Sequence, residues 1–209
     1  IYLTINSLQS RKVSFPNIYD VSLRQAIRKL ENVGLEVGKL EYRADIATNK
    51  VLDFKVNGIK IKVSSFPKRT ETAMLYKAKA TGNYLNSMLA LKDALNDGYD
   101  EALILGTDDS VNEGSGENFF LIKNNKLITP DLSTVLDGIT RKTIITLAED
   151  LDIQTVEKKI SLDEVFECDE AFFTGTAAEV TPIIEIDNTK INNGIPGQIT
   201  KKLQENYFN

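Results

Sequence analysis

The chain has 209 residues, of which 42% are hydrophobic and 26% charged, a composition typical of one or two globular domains rather than a disordered protein. Its net charge of -5 at pH 7, without a basic stripe, does not favour nucleic-acid binding. The chain has no histidine and one cysteine, Cys168, which excludes His-dependent catalytic triads, His-ligated zinc and an intrachain disulfide.

The first 58 residues predict a small strand–helix–strand–strand unit. A capping box at Ser22 and Gln25 begins an amphipathic helix, and Gly34 ends it. Strands are expected over residues 1–7, 37–42 and 51–56. No apolar run reaches the roughly 20 residues that span a bilayer, and the alternating start predicts a strand rather than a signal peptide.

Residues 59–209 predict an α+β domain. Helices are expected over residues 83–97, 140–150 and 198–207. A further short helix is expected to begin with a capping box at residues 161–164. Strands are expected over residues 59–65, 101–105, 118–122, 126–129, 153–158, 171–174 and 180–186. A loop covers residues 67–76, and the apolar face of the first helix is Leu85, Met88, Leu89, Leu91 and Leu95.

Two segments contain side chains suited to covalent and acid–base chemistry. Lys79 precedes Tyr84 by five residues; a neutral lysine amine is a nucleophile, and a tyrosine can donate to a phenolate. Glu113 lies in a Gly-rich segment, where a carboxylate can keep a pyridine nitrogen protonated and glycine permits close approach to a flat ring. The simpler interpretations are a solvated lysine and an exposed acidic loop.

Two further segments are suited to anions. Residues 137–141 begin a helix, where backbone amides and a hydroxyl suit a phosphate. Residues 174–179 combine small side chains and hydroxyls after a strand. The alternatives are an ordinary helix cap and a tight turn.

In order and spacing, segments 79–84, 113–118, 138–141 and 175–182 resemble branched-chain amino-acid aminotransferases, which are fold-type IV enzymes that depend on pyridoxal 5′-phosphate. The resemblance runs from about residue 59 to the C-terminus and implies the class IV large domain. It implies that Lys79 is the catalytic residue, which bonds to the cofactor as a Schiff base and acts as general acid–base.

The same resemblance implies the remaining roles. Tyr84 is expected to bind the cofactor O3′, and Glu113 to pair with the pyridine nitrogen. The phosphate is expected to be bound by Ile139, Thr140 and Thr176, and the substrate carboxylate by Thr176 and Ala177. The implied reaction transfers an amino group between leucine, isoleucine or valine and 2-oxoglutarate, in a cytoplasmic homodimer or larger homo-oligomer without a metal.

Residues 1–58 instead resemble a PASTA domain, an extracytoplasmic module that binds cell-wall peptidoglycan fragments or acts as a spacer. The matching segments are residues 15–17, 21–26, 30–38 and 46–52. The smaller N-terminal domain of the aminotransferases is not found, and a seam near residues 56–60 indicates a fusion, a chimera or a designed recombination. The alternative function is therefore an inactive fusion whose PASTA-like part binds the cell wall.

Overall fold

The computed structural model describes residues 2–7, 23–32, 35–41, 53–56, 58–68 and 78–208. The chain divides into two compact units, residues 1–57 and 58–209. Among the described residues, no helix is both long and apolar enough to cross a membrane.

The described residues of the first unit form a three-stranded sheet and one helix. The central strand β1 (Tyr2–Ser7) is antiparallel to β2 (Leu35–Glu41) and parallel to β3 (Asp53–Val56). Helix α1 (Leu23–Glu31) follows β1 and buries Ala26 and Leu30. These elements confirm the predicted order, while Ser22 and Gly34 lie outside the described residues.

The second unit is built on a ring of six strands. Strand β4 (Ile59–Val63) is parallel to both of its neighbours, and pairing between β7 and β10 closes the ring. In spatial order after β4, the ring contains β5 (Glu101–Leu105), β6 (Val111–Glu113), β7 (Asn118–Lys123), β10 (Glu170–Gly175) and β11 (Glu179–Ile186). The strands outside the ring are β8 (Lys126–Thr129), β9 (Thr155–Glu157) and β12 (Thr189–Lys190).

Strands β7 and β10 are buried on both faces, which explains their continuous apolar sequences. Phe119 and Phe173 belong to a cluster with residues from all six ring strands, so they fill the ring interior. Phe120 and Phe172 stack at 5.1 Å between centroids on the opposite face, under α3 (Ile139–Asp150) and α5 (Gln198–Tyr207). The short helix α4 (Leu162–Phe166) begins with the predicted capping box.

Helix α2 (Tyr84–Asn96) packs on the sheet through small side chains rather than through the large residues of its apolar face. Leu85, Met88 and Leu89 are 63%, 64% and 47% exposed, whereas Ala90 and Ala94 are buried in a cluster with residues of β5. Small side chains let the helix approach the sheet closely. The apolar face of the sequence is therefore exposed at these three residues, and the two alanines provide the contact with β5.

An ion-paired lysine supports the observed orientation of α2. Lys62 on β4 donates to Asp93 at 2.7 Å and to Asp97 at 2.5 Å. Both carboxylates lie near the C-terminal end of α2, one turn apart. Lys62 therefore ties this end of the helix to β4, in addition to the contact that the alanines make with β5. The helix ends at Asn96, and Gly98, which follows the C-cap residue Asp97, has a φ of 89° that suits glycine.

Candidate active site

Three of the four predicted segments meet at the loop between β6 and β7. The Asn118 side chain donates to the Leu136 carbonyl at 2.8 Å. A Cβ on Gly138 would lie 2.3 Å from the Asn118 Oδ1, and one on Gly175 would lie 3.4 Å from the Gly116 carbonyl oxygen. The start of α3 and the β10–β11 turn therefore both approach this loop closely.

Lys79 is exposed and lies next to the start of α3. It lines a cleft with Leu136, Gly138 and Ile139. Its φ is 51°, a left-handed conformation that is uncommon for a residue with a Cβ and often marks a functional position. A 3-10 turn at Thr81–Asn83 then leads directly into α2.

Tyr84 and Glu113 line a neighbouring cleft, and Leu136 lines both clefts. Burial raises the pKa of Tyr84, and the nearby charges of Glu113 and Glu117 raise it further. The phenol therefore keeps its proton near neutral pH and can donate a hydrogen bond.

Glu113 is held at the end of β6 by two donors. Its Oε1 accepts from the Lys68 Nζ at 2.5 Å, and its Oε2 accepts from the Leu136 backbone N–H at 3.1 Å. The following turn is tight, because a Cβ on Gly114 would lie 2.8 Å from the Glu117 carboxylate and 3.1 Å from the Phe173 ring. Glu113 is thus part of a short strand rather than an exposed acidic loop.

Sequence reasoning missed Lys68 as a site residue. It placed this lysine in the loop predicted over residues 67–76, of which only Pro67 and Lys68 are described. Lys68 and Glu113 are 45 residues apart in the chain, and no local pattern links them.

The start of α3 has the backbone geometry of an anion site. Gly138 is its N-cap and provides no side-chain cap, and the first N–H groups of a helix have no intrahelical acceptor. Ile139 is 80% exposed and Thr140 is 6% exposed. The arrangement fits a phosphate group, which helix N-termini bind through N–H groups and the helix dipole.

The β10–β11 turn brings Thr176 and Ala177 to the surface. Both residues are exposed, and neither they nor Thr140 are among the residues that line the two clefts. Gly175 places this turn beside Gly116. In the described part of the chain, no cluster of three or more Cys, Asp or Glu side chains could hold a metal ion.

Comparison with protein families gives a match over most of the chain. Residues 40–186 match the family described as "Amino-transferase class IV". The branched-chain-amino-acid aminotransferase of Pseudomonas aeruginosa is 52% identical over 151 residues, which are 72% of this chain and 49% of that protein. The chain therefore spans about half the length of the curated relatives it matches.

Solved structures agree with this match. The branched-chain amino acid aminotransferase of Thermobaculum terrenum, solved in its PLP-bound holo-form, is 40% identical with a TM-score of 0.70, covering 72% of this chain and 50% of that one. The branched-chain aminotransferase of Thermoproteus uzoniensis, solved with norvaline, is 37% identical with a TM-score of 0.71 and covers 88% of this chain and 68% of that one.

The matches also extend into the first unit. The family match begins at residue 40, within the first unit. The Thermoproteus match covers 88% of the chain, which is more than residues 58–209 make up, so it also includes residues of the first unit. Since the family match covers well over half of the sequence, the chain belongs to the class IV aminotransferase family.

Proposed function

We propose that this chain binds pyridoxal 5′-phosphate and forms the catalytic site of a branched-chain amino-acid aminotransferase. Its substrates would be leucine, isoleucine or valine and 2-oxoglutarate. The observation that carries the proposal is that Lys79, Tyr84, Glu113 and the start of α3 surround two adjoining clefts. The names of the relatives at up to 52% identity support the substrate class.

In this proposal the bound cofactor supplies a conjugated ring that accepts electrons from the substrate α-carbon. The Lys79 amine would hold the cofactor, and the same amine would accept and return the proton of the substrate α-carbon. Tyr84 donates to the cofactor O3′, for which its neutral phenol is suited. Glu113 holds the proton on the ring nitrogen.

The remaining residues bind and orient. The N–H groups of Ile139 and Thr140 at the start of α3 bind the phosphate, and Thr176 adds a donor from the β10–β11 turn. The backbone at Thr176 and Ala177 binds the substrate carboxylate. We further propose that the enzyme works as a homodimer or larger homo-oligomer.

Removal of Lys79 tests the proposal directly. Lys79→Ala should abolish the visible absorbance band that pyridoxal phosphate forms with the wild-type chain. It should also abolish the covalent label left by borohydride reduction, because the assigned amine is absent. The measurement is a cofactor titration by absorbance, followed by mass spectrometry of reduced peptides.

Lys126→Ala is the matched control, since Lys126 is an exposed lysine at the start of β8, away from the clefts. It should retain the wild-type band and label. The assignment of Lys79 fails if Lys79→Ala keeps the band and the label at the same peptide.

The alternative is a PASTA-like module in residues 1–58 that binds peptidoglycan fragments or acts as a spacer, joined to an inactive aminotransferase fold. In its favour, residues 15–38 of the resemblance lie outside the family match. Against it, residues 46–52 lie within that match. Chemical-shift changes in residues 1–58 on titration with peptidoglycan fragments would support this alternative, and unchanged spectra would argue against a peptidoglycan-binding role.

A further inference from the structure

Lys68 connects two parts of the candidate site. Its Nζ donates to the Glu113 Oε1 at 2.5 Å and to the Thr134 carbonyl at 2.7 Å. Its own backbone N–H donates to the Leu105 carbonyl at 2.7 Å, which ties it to the end of β5. The lysine is thus fixed at both its backbone and its ammonium group.

The pair that Lys68 forms with Glu113 is shielded from solvent. The two side chains are only 13% and 16% exposed, so the interaction is less screened than a surface ion pair. Partly buried pairs also carry a desolvation cost, which makes them weak evidence for a purely stabilising role.

The donors around Glu113 fix the orientation of its carboxylate group, in addition to pairing its charge. Lys68 binds one carboxylate oxygen and the Leu136 N–H binds the other. Two donors on two oxygens fix the plane of the carboxylate, and each oxygen retains the capacity to accept a second hydrogen bond.

The contacts of Lys68 and Glu113 also reach the anion-binding end of the site. Thr134 and Leu136 both belong to the segment that leads into α3. The Lys68–Glu113 pair therefore connects the carboxylate assigned to the ring nitrogen with the helix start assigned to the phosphate.

We propose that Lys68 is a positioning residue, which orients Glu113 toward the cofactor ring nitrogen and sets its distance from the start of α3. This inference rests on the proposed function. By fixing the orientation of the Glu113 carboxylate, Lys68 would keep it in position to accept a hydrogen bond from the protonated ring nitrogen.

The test compares Lys68→Met, which keeps much of the side-chain shape, with Lys68→Arg, which keeps the charge and the donors. Lys159→Met is the matched control, because Lys159 forms a 2.6 Å ion pair with Asp108 at an exposed site. Pyridoxal phosphate labelled with ¹⁵N in its ring is titrated into each chain. Kd is measured by absorbance and the ring protonation by ¹⁵N chemical shift.

Lys68→Met is expected to raise the Kd about tenfold, the effect of losing one charge-assisted hydrogen bond. It should also move the ring ¹⁵N shift toward that of an unprotonated pyridine. Lys68→Arg should restore both values, and Lys159→Met should leave them unchanged. In the cofactor-free chain, Lys68→Met should also accelerate hydrogen exchange of the Leu136 N–H, since its acceptor is less firmly held.

Two negative results are distinguishable. If the wild-type chain forms no reducible cofactor band, the proposed function fails and this role fails with it. If the wild type forms the band but Lys68→Met keeps the wild-type ring shift, the positioning role alone is overturned, even where Lys68→Met lowers thermal stability.

Discussion

At the scale of single residues, the neighbours of Tyr84 raise the pKa of its phenol and so favour its proposed role as a hydrogen-bond donor. Burial raises the pKa of its phenol first, and the charges of Glu113 and Glu117 raise it further. A hydrogen-bond donor to a cofactor oxygen must keep its proton at working pH, and these neighbours favour the protonated form.

The raised pKa of Tyr84 can be measured by ultraviolet difference titration of the wild-type chain against Tyr84→Phe. The difference should show one phenol that ionises above the ordinary value of about 10. Glu113→Gln should shift this ionisation back toward lower pH, because it removes a nearby negative charge. An ionisation at or below the ordinary value would contradict the conclusion that burial and the two carboxylates raise the pKa of Tyr84.

The stability of the fold should decrease at alkaline pH as Tyr84 ionises. Because the folded-state pKa of Tyr84 is raised, its contribution is complete below about pH 10, the value of the unfolded chain. It is lost as the pH rises through the folded-state pKa. Tyr84→Phe should lack this part of the alkaline decrease in stability.

At the scale of elements, α5 depends on a carboxylate from a neighbouring strand. The buried Glu170 on β10 accepts from the N–H groups of Ile199 and Thr200 at 3.0 and 2.7 Å, and from the Thr200 hydroxyl at 2.7 Å. It thereby caps the first turn of α5 in place of a local N-cap, since Gly197 has no side chain.

Gly197→Ala should therefore destabilise the chain by about 1–3 kcal/mol, the range for losing a helix cap and leaving buried groups unpaired. The reason is steric, because the new Cβ would lie 1.8 Å from the Glu170 Cδ, while the φ of Gly197 is an ordinary -73°. Chemical denaturation measures the change. Gly116→Ala is the control, since nothing beyond its own chain neighbours lies within 4 Å of its added Cβ, and a similar loss in both variants would refute the explanation.

Elements with strong local signals were predictable from the sequence. The helix expected over residues 198–207 is Gln198–Tyr207. The strands expected over residues 118–122 and 126–129 are present, and they are joined at Asn124 and Asn125, whose φ values of 51° and 59° asparagine tolerates. Strand β6 was missed, because three residues beside a Gly-rich loop show no alternation. The ring closure and the Lys68–Glu113 contact depend on residues far apart in the chain, which local periodicity does not encode.

At the scale of the whole molecule, α2 presents an apolar surface made by Leu85, Met88 and Leu89. These residues adjoin Tyr84, Asn86 and Ser87, which line the cleft that contains Glu113. An exposed cluster of large apolar side chains commonly marks an interaction site or promotes association, consistent with the homo-oligomer proposed above.

Replacing both Leu85 and Met88 with lysine should weaken self-association, because charge opposes burial of this surface. Sedimentation velocity over a concentration series measures the change, and circular dichroism verifies that the fold is retained. Lys92→Glu, on an exposed position of the same helix, should leave association unchanged. A wild-type chain that stays monomeric, or a double variant that associates equally well, would contradict the prediction.

The closed ring of strands also has a consequence for biosynthesis. Strand β4 pairs with β11, so Ile59 and Ile61 must meet Ile183 and Ile186 before the ring is complete. These partners are separated by more than a hundred residues, and such distant pairings form slowly because of their chain-closure entropy. A ribosome that translates this unit must therefore release nearly all of it before β4 gains its second neighbour. Until then β4 presents an unpaired edge, at which nascent chains of this protein are most exposed to mispairing.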